Sequence, residues 1–258
     1  MLTALIKVDG VKVLARDSEK ILAPFICPQC KSEVVLHKGL IRIHHFKHKP
    51  PITCSRGQGE SEQHLRAKLA IRDALTSQPN VSNVEIEKDF RVSVADVYAE
   101  VDGIPVVVEI QRSNLSIADI SKRTINYHQL GIAVLWVGLP CEELSGDAYS
   151  PSAWERWCHA VYFGRVYYWH EGQTFRAIHF DAYEVLVEGH TWYESGGYEH
   201  STATYWKTSK RYKTPNPGAS VKLSHGFKKR FRQAWSGGTV EIPACTLFVD
   251  NQEKWWSQ

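Results

Sequence analysis

The chain has 258 residues, 43% apolar and 23% charged, with a formal net charge of +3. That composition belongs to an ordinary globular protein and argues against a disordered tail or a disulfide scaffold. No apolar run approaches the roughly 18 residues of a membrane span and no secretory leader is recognisable, so the expectation is a cytoplasmic protein without membrane contact. The charge is unevenly spread. Between His200 and Val240 stand nine Lys or Arg and no acid, which leaves the rest of the chain net acidic by about six.

Two β-rich runs, 4–8 and 11–14, flank Asp9-Gly10 and predict a hairpin. Residues 26–56 are rich in Cys and His. Cys27-Pro28-Gln29-Cys30 has the spacing of a zinc knuckle, which needs four tetrahedral N/S ligands. Cys27, Cys30, His48 and Cys54 are the expected set, with His45 in place of His48 as the alternative. His37 and His44 lie further off. A ribbon of about 30 residues buries too little to fold alone, so the zinc would be structural.

Residues 60–77 predict a helix on the apolar stripe Leu65, Leu69, Ile71, Ala74 and Leu75, ended by Pro79. Glu60, His64 and Lys68 fall on one face at i, i+4 and i+8. Strands follow at about 83–90, 91–101 and 104–111. Asp102-Gly103 between the last two is a two-residue turn that pairs Val101 with Ile104. Every cross-strand pair then sums to 205, which sets Asp96 opposite Glu109, with Gln111 on the same face by the period of two. Two carboxylates beside the apolar run Val106, Val107 and Val108 repel each other unless a cation lies between them.

Ser116 and Asp119 resemble a capping box, opening a helix to Leu130 with Gly131 at C′. Residues 132–137 form a short apolar strand. Strand, helix and buried strand make a βαβ crossover. Beyond Pro140 lie eight of the nine Trp. Residues 161–169 and 174–180 predict a hairpin around Glu171-Gly172, and 215–218 a loop. Residues 200–240 interleave Tyr205, Trp206, Tyr212, Phe227, Phe231 and Trp235 with basic residues, among them Lys228, Lys229, Arg230 and Arg232. That mix suits single-stranded nucleic acid. It equally suits a surface element with core aromatics, and 220–235 reads as a basic amphipathic helix.

The order helix, three antiparallel strands, helix, strand resembles the PD-(D/E)XK nuclease core, with Glu60, Asp96 and Glu109-Ile110-Gln111 at the motif positions. The resemblance is closer to the competence protein CoiA family over about residues 1–180. It rests on the Cys27/Cys30 knuckle, the segment His45 to His48, the segment Gly59 to His64 with Lys68, Ala95-Asp96-Val97, Glu109 to Ser113, and Arg123 to Tyr127 before the Trp136 strand. It implies an α/β (α+β) chain in three parts. These are a zinc-ribbon-like β module (1–57), a restriction-endonuclease-like core with a mixed sheet (58–140) and an aromatic, basic region (141–258).

The implied activity is metal-dependent hydrolysis of DNA, in competence-linked recombination or in defence, alongside proteins of either process. Asp96, Glu109, the Ile110 carbonyl and Glu60 would hold Mg²⁺ or Mn²⁺, and Gln111 would orient water. His64 or Lys68 would meet the scissile phosphate. Arg123 and Tyr127 would hold a neighbouring phosphate or serve structure. Gln111 departs from the consensus Lys, a cation that Lys68 could supply from the helix. An RNA substrate is a further option. The rival reading is a non-catalytic zinc-ribbon adaptor that binds DNA, and Gln111 favours it.

Overall fold

The computed structural model describes residues 1–52, 54, 56, 60–111, 115–237 and 240–257. Gly59, Arg112 and Ser113 of the motif strings, and the boundary between 57 and 58, lie outside them.

The first sheet holds β1 (Thr3–Ile6), β2 (Lys12–Leu14), β3 (Phe25–Ile26), β4 (Glu33–His37) and β5 (His45–His48), in the order β2-β1-β3-β4-β5. All its pairings are antiparallel. The Asp9-Gly10 hairpin is present, with Gly10 at φ +72, a conformation that favours glycine. In β4 and β5 the side chains alternate. Val34, Leu36, Phe46 and His48 turn inward, and Val35, His37, His45 and Lys47 turn outward.

Helix α1 (Glu62–Thr76) starts two residues later than the sequence predicts, because the Ser61 side chain accepts from His64 N at 3.2 Å and caps it there. Glu60 therefore precedes the helix. Then come β6 (Val81–Asp89), β7 (Val94–Val101) and β8 (Ile104–Gln111), antiparallel in turn. The turn is as read from Asp102-Gly103, both residues having positive φ. The β7–β8 pairs run from Val101↔Ile104 to Val97↔Val108, each summing to 205. Helix α2 (Ile117–Gln129) begins at Ser116, whose side chain accepts from Asp119 N, and Gly131 follows at φ +74. It crosses to β9 (Ala133–Gly138), parallel to β8.

The sheet continues past residue 140. Helix α3 (Ala153–Val161) leads to β10 (Val166–Glu171), parallel to β9, and β11 (Thr174–Val187) pairs antiparallel with β10. Residues 161–163, expected in a strand, instead close α3. Its capping box, Ser152 with Glu155, and its buried stripe Trp154, Trp157, Cys158 and Val161 fix a helical period there. The small hairpin β12 (Thr191–Tyr193) and β13 (Glu199–Ser201) precedes β14 (Tyr205–Lys222), which pairs along β11.

The expected loop at 215–218 lies inside β14. Pro215 and Pro217 are tolerated because β14 is the outermost strand, where a missing N–H costs no ladder bond. No long helix spans 220–235. A single turn (Leu223–Gly226) is followed by β15 (Phe227–Arg232). After the short pair β16 (Trp235–Gly237) and β17 (Val240–Ile242) comes β18 (Cys245–Asp250), buried throughout. A buried strand must have its backbone polar groups paired, and β15 supplies those partners along the length of β18. The central sheet thus runs β14-β11-β10-β9-β8-β7-β6, with β18 also against β9. One continuous core joins its strands to α1, α2 and α3. Among the described residues no helix is long and apolar enough to cross a membrane.

Candidate functional site

The β7–β8 ladder stops at Val97↔Val108, and Asp96 stands one step beyond. Its Oδ2 accepts the Ile110 amide at 2.9 Å, so the carboxylate sits where the two strands part. Helix α1 reaches the same place with side chains one turn apart. Lys68 Nζ lies 2.8 Å from Asp96 Oδ1, and His64 Nε2 lies 3.1 Å from Asp96 Oδ2. Glu60 bonds the same Lys68 ammonium and, on its other oxygen, the Met1 amino group at 2.9 Å. Glu60, His64 and Asp96 offer ligand atoms that all lie within 4.8 Å of one another. Burial would raise the Asp96 pKa, but Lys68 and then His64 outweigh it and hold the group well below the carboxylate range. Lys68 is itself pushed above its ordinary value, since its neighbours Asp96, Glu87 and Glu60 offset the cost of burial.

Glu109 is fully buried and takes different partners. Arg123 and Tyr127, at i and i+4 on α2, both donate to its Oε1, and Arg123 also bonds the Val94 carbonyl at 2.8 Å. Burial lifts Glu109 to about 7 against the pull of Arg123, with Asp96 adding to the rise. Glu109 is not among the Glu60/His64/Asp96 ligand group. Gln111, two residues on, is buried, and its Nε2 has no hydrogen-bond partner among the described residues. A buried amide left open is costly unless water or a ligand completes it.

A hard divalent cation wants oxygen donors. Glu60 and Asp96 provide them at one point, with His64 as a nitrogen donor suited to Mn²⁺. The residues present therefore fit such an ion.

Sequence reasoning missed Glu87. It is buried in β6 at φ +49 and accepts from Leu2 N at 2.7 Å and Thr3 N at 3.0 Å, with Arg56 at 3.5 Å and Lys68 at 3.7 Å. It ties the first sheet to the lysine of the acidic cluster. Glu85 and Glu87 alternate in the sequence like any half-exposed pair, so nothing local marked one of them as buried.

The second cluster lies in the first sheet. Cys27, Cys30, His48 and Cys54 bring four ligand atoms within 4.8 Å of one another, and Cys30 Sγ is 3.3 Å from His48 Nε2. Three thiols and an imidazole gathered this closely are consistent with a structural zinc site. His45 is on the other face, bonded to the Ile43 carbonyl at 2.8 Å and stacked on His37. Burial pushes the Cys27 thiol up to about 11. Cys30 falls to about 6, because hydrogen bonds from Ser32 and His48 outweigh its burial.

Lys228, Lys229 and Arg230 are exposed on the edge strand β15. Arg230 and Arg232 lie over the Phe163 ring at 5.5 and 4.7 Å.

Two family descriptions match the chain: the N-terminal domain of competence protein CoiA over residues 12–56, and its nuclease-like domain over 60–158. Together they span more than half of the sequence, in the order of the family. The chain belongs to the competence protein CoiA family. The CoiA nuclease-like span holds Glu60, His64, Lys68, Asp96, Glu109, Gln111, Arg123 and Tyr127, and the CoiA N-terminal span holds all four residues of the thiol cluster. No curated protein and no solved structure matches the chain.

Proposed function

We propose that this CoiA-family chain is a metal-dependent DNA nuclease with a PD-(D/E)XK-type core (58–140), a zinc-ribbon-like module (1–57) and a nucleic-acid-binding C-terminal region (141–258). The observation that carries this reading is the convergence of Glu60, His64 and Asp96 with the Lys68 ammonium. Asp96 and Glu60 would hold Mg²⁺ or Mn²⁺, with Glu109 and the Ile110 carbonyl completing the site. When bound, the cation supplies a water of lowered pKa and neutralises charge on the phosphate. Gln111 orients that water through its amide. Lys68 would supply the cation of the site, replacing the lysine that Gln111 does not provide. Arg123 holds Glu109 in place, and Lys228, Lys229, Arg230 and Arg232 bind the strand through its phosphates. The family's name favours competence-linked DNA processing with recombination proteins over a role in defence.

A second reading has support of its own. Glu109 is closed off by Arg123 and Tyr127, which fits an adaptor that binds DNA without cutting it. Incubation of the purified protein with linear, nicked, single-stranded and supercoiled DNA, and with RNA, in Mg²⁺, Mn²⁺ or EDTA separates the two. The nuclease reading expects metal-dependent cleavage of DNA, blocked by EDTA and abolished in Asp96→Ala with binding intact. Binding without cleavage in either metal leaves the adaptor.

A further inference from the structure

The outward face of the first sheet leads to the acidic cluster. A cavity of about 560 Å³ lies between this sheet and the start of α1, with Glu60 and Glu62 among its walls. A second cavity, about 800 Å³, lies over the outward face of β4 and β5. The two share Arg42, Ile43, His45 and Lys47 as walls, so they form one groove. The outer part is lined by Lys20, Lys38, Arg42 and Lys47 and by no carboxylate. Lys38 is bridged to Glu19 from outside, whereas no ion pair engages Arg42 or Lys47 among the described residues.

The floor of the outer part is flat and weakly polar. The His37 and His45 rings stack there at 5.2 Å and 9°. Burial, together with His45 and Lys47, keeps His37 below its ordinary value. At the rim, Leu40 and Ile41 project fully, 107% and 90% exposed. Apolar side chains and ring faces set among unpaired cations complement a strand whose bases are free to stack and whose phosphates need counter-charges. A duplex hides its base faces.

We propose that this groove binds single-stranded DNA and delivers it to the Glu60 end of the acidic cluster, with Arg42 and Lys47 on phosphates and His37, His45, Leu40 and Ile41 against bases. The delivery step rests on the nuclease reading above, but the binding step does not.

The test is fluorescence anisotropy of the full chain with a labelled oligo-dT and with a duplex of equal length, in EDTA across a salt series. Arg42→Gln with Lys47→Gln should weaken oligo-dT binding about tenfold and reduce the salt slope by about 1.4, two single-strand phosphate contacts at about 0.7 each. Leu40→Ser with Ile41→Ser should weaken it several-fold at an unchanged salt slope, and neither pair should alter zinc content. Oligo-dT affinity unchanged in both pairs overturns the proposal, as does an equal loss for duplex and single strand. On the unaltered protein, oligo-dT should shield Lys47 from amine acetylation, and full labelling of Lys47 at saturating oligo-dT also overturns it. Altered affinity in a protein that cuts nothing supports the groove while removing the nuclease reading. Cleavage with unchanged affinity removes the groove alone.

Discussion

The two clusters that can hold an ion solve opposite electrostatic problems. In the first sheet, three thiols and an imidazole face each other. In the central sheet, each carboxylate already has a cation: Lys68 for Glu60 and Asp96, Arg123 for Glu109. A bound metal would supply the thiol cluster's cohesion, whereas the acidic cluster has its own cations and can stay folded without one. A ligand substitution should unfold the first region, whereas in the second it is loss of the partner lysine that should destabilise.

The largest effect expected from this contrast is at Cys27. Cys27→Ser should reduce zinc from about one per chain to near none and expose residues 1–56 to proteolysis while the central sheet survives. Metal analysis with limited proteolysis checks it, and a fully protected N-terminal region without zinc would break the comparison. Lys68→Ala comes next. It strands Asp96, Glu60 and Glu87 without their shared ammonium and should cost about 3–5 kcal/mol. Added Mn²⁺ should restore part of the melting temperature in that variant more than in the parent, since the ion would take the vacated role. If Mn²⁺ moves neither, the acidic cluster does not take metal.

Gln111→Lys sharpens the comparison from the chemical side. It replaces an unsatisfied amide with a cation near Glu109 and should retain or raise metal-dependent cleavage, measured as initial rates on linear DNA. A fold that survives while cleavage disappears would count against a nuclease centre.

The smallest effect is in pH dependence. Glu109 has its carboxyl raised from 4.5 to about 7, so its contribution to stability is present below about 4.5 and is lost as pH rises through about 7. Asp96 is depressed, so its contribution is present above about 3.8 and is lost at lower pH. Glu109→Gln should flatten the decline between pH 4.5 and 7 and leave the acid limb unchanged, as followed by denaturant melts.

What the sequence by itself determined was local. The Asp102-Gly103 turn and the period of two set the β7–β8 register through Val97↔Val108, and Ser116 and Gly131 bounded α2. Between the histidines the sequence left two choices, and the structure decides: Phe46 and His48 share the inner face of β5, so His48 joins the thiols and His45 does not. The Ser152–Glu155 box and the Trp154, Trp157, Val161 stripe were legible too, but the aromatic run that follows reads as β and obscures them. The tertiary structure alone decided which helix each carboxylate faces. Asp96 lies past the end of its ladder and turns to α1, while Glu109 stays within β8 and meets α2. It alone decided that Glu87 reaches the backbone of β1, and that β10, β11, β14 and β18 extend one sheet. Turn type, capping and side-chain period are properties of neighbours in the chain. The partner of a buried charge, or of a strand's free edge, depends on residues as far off as Leu2 is from Glu87 or Val134 from Leu247, whose placement no local pattern specifies.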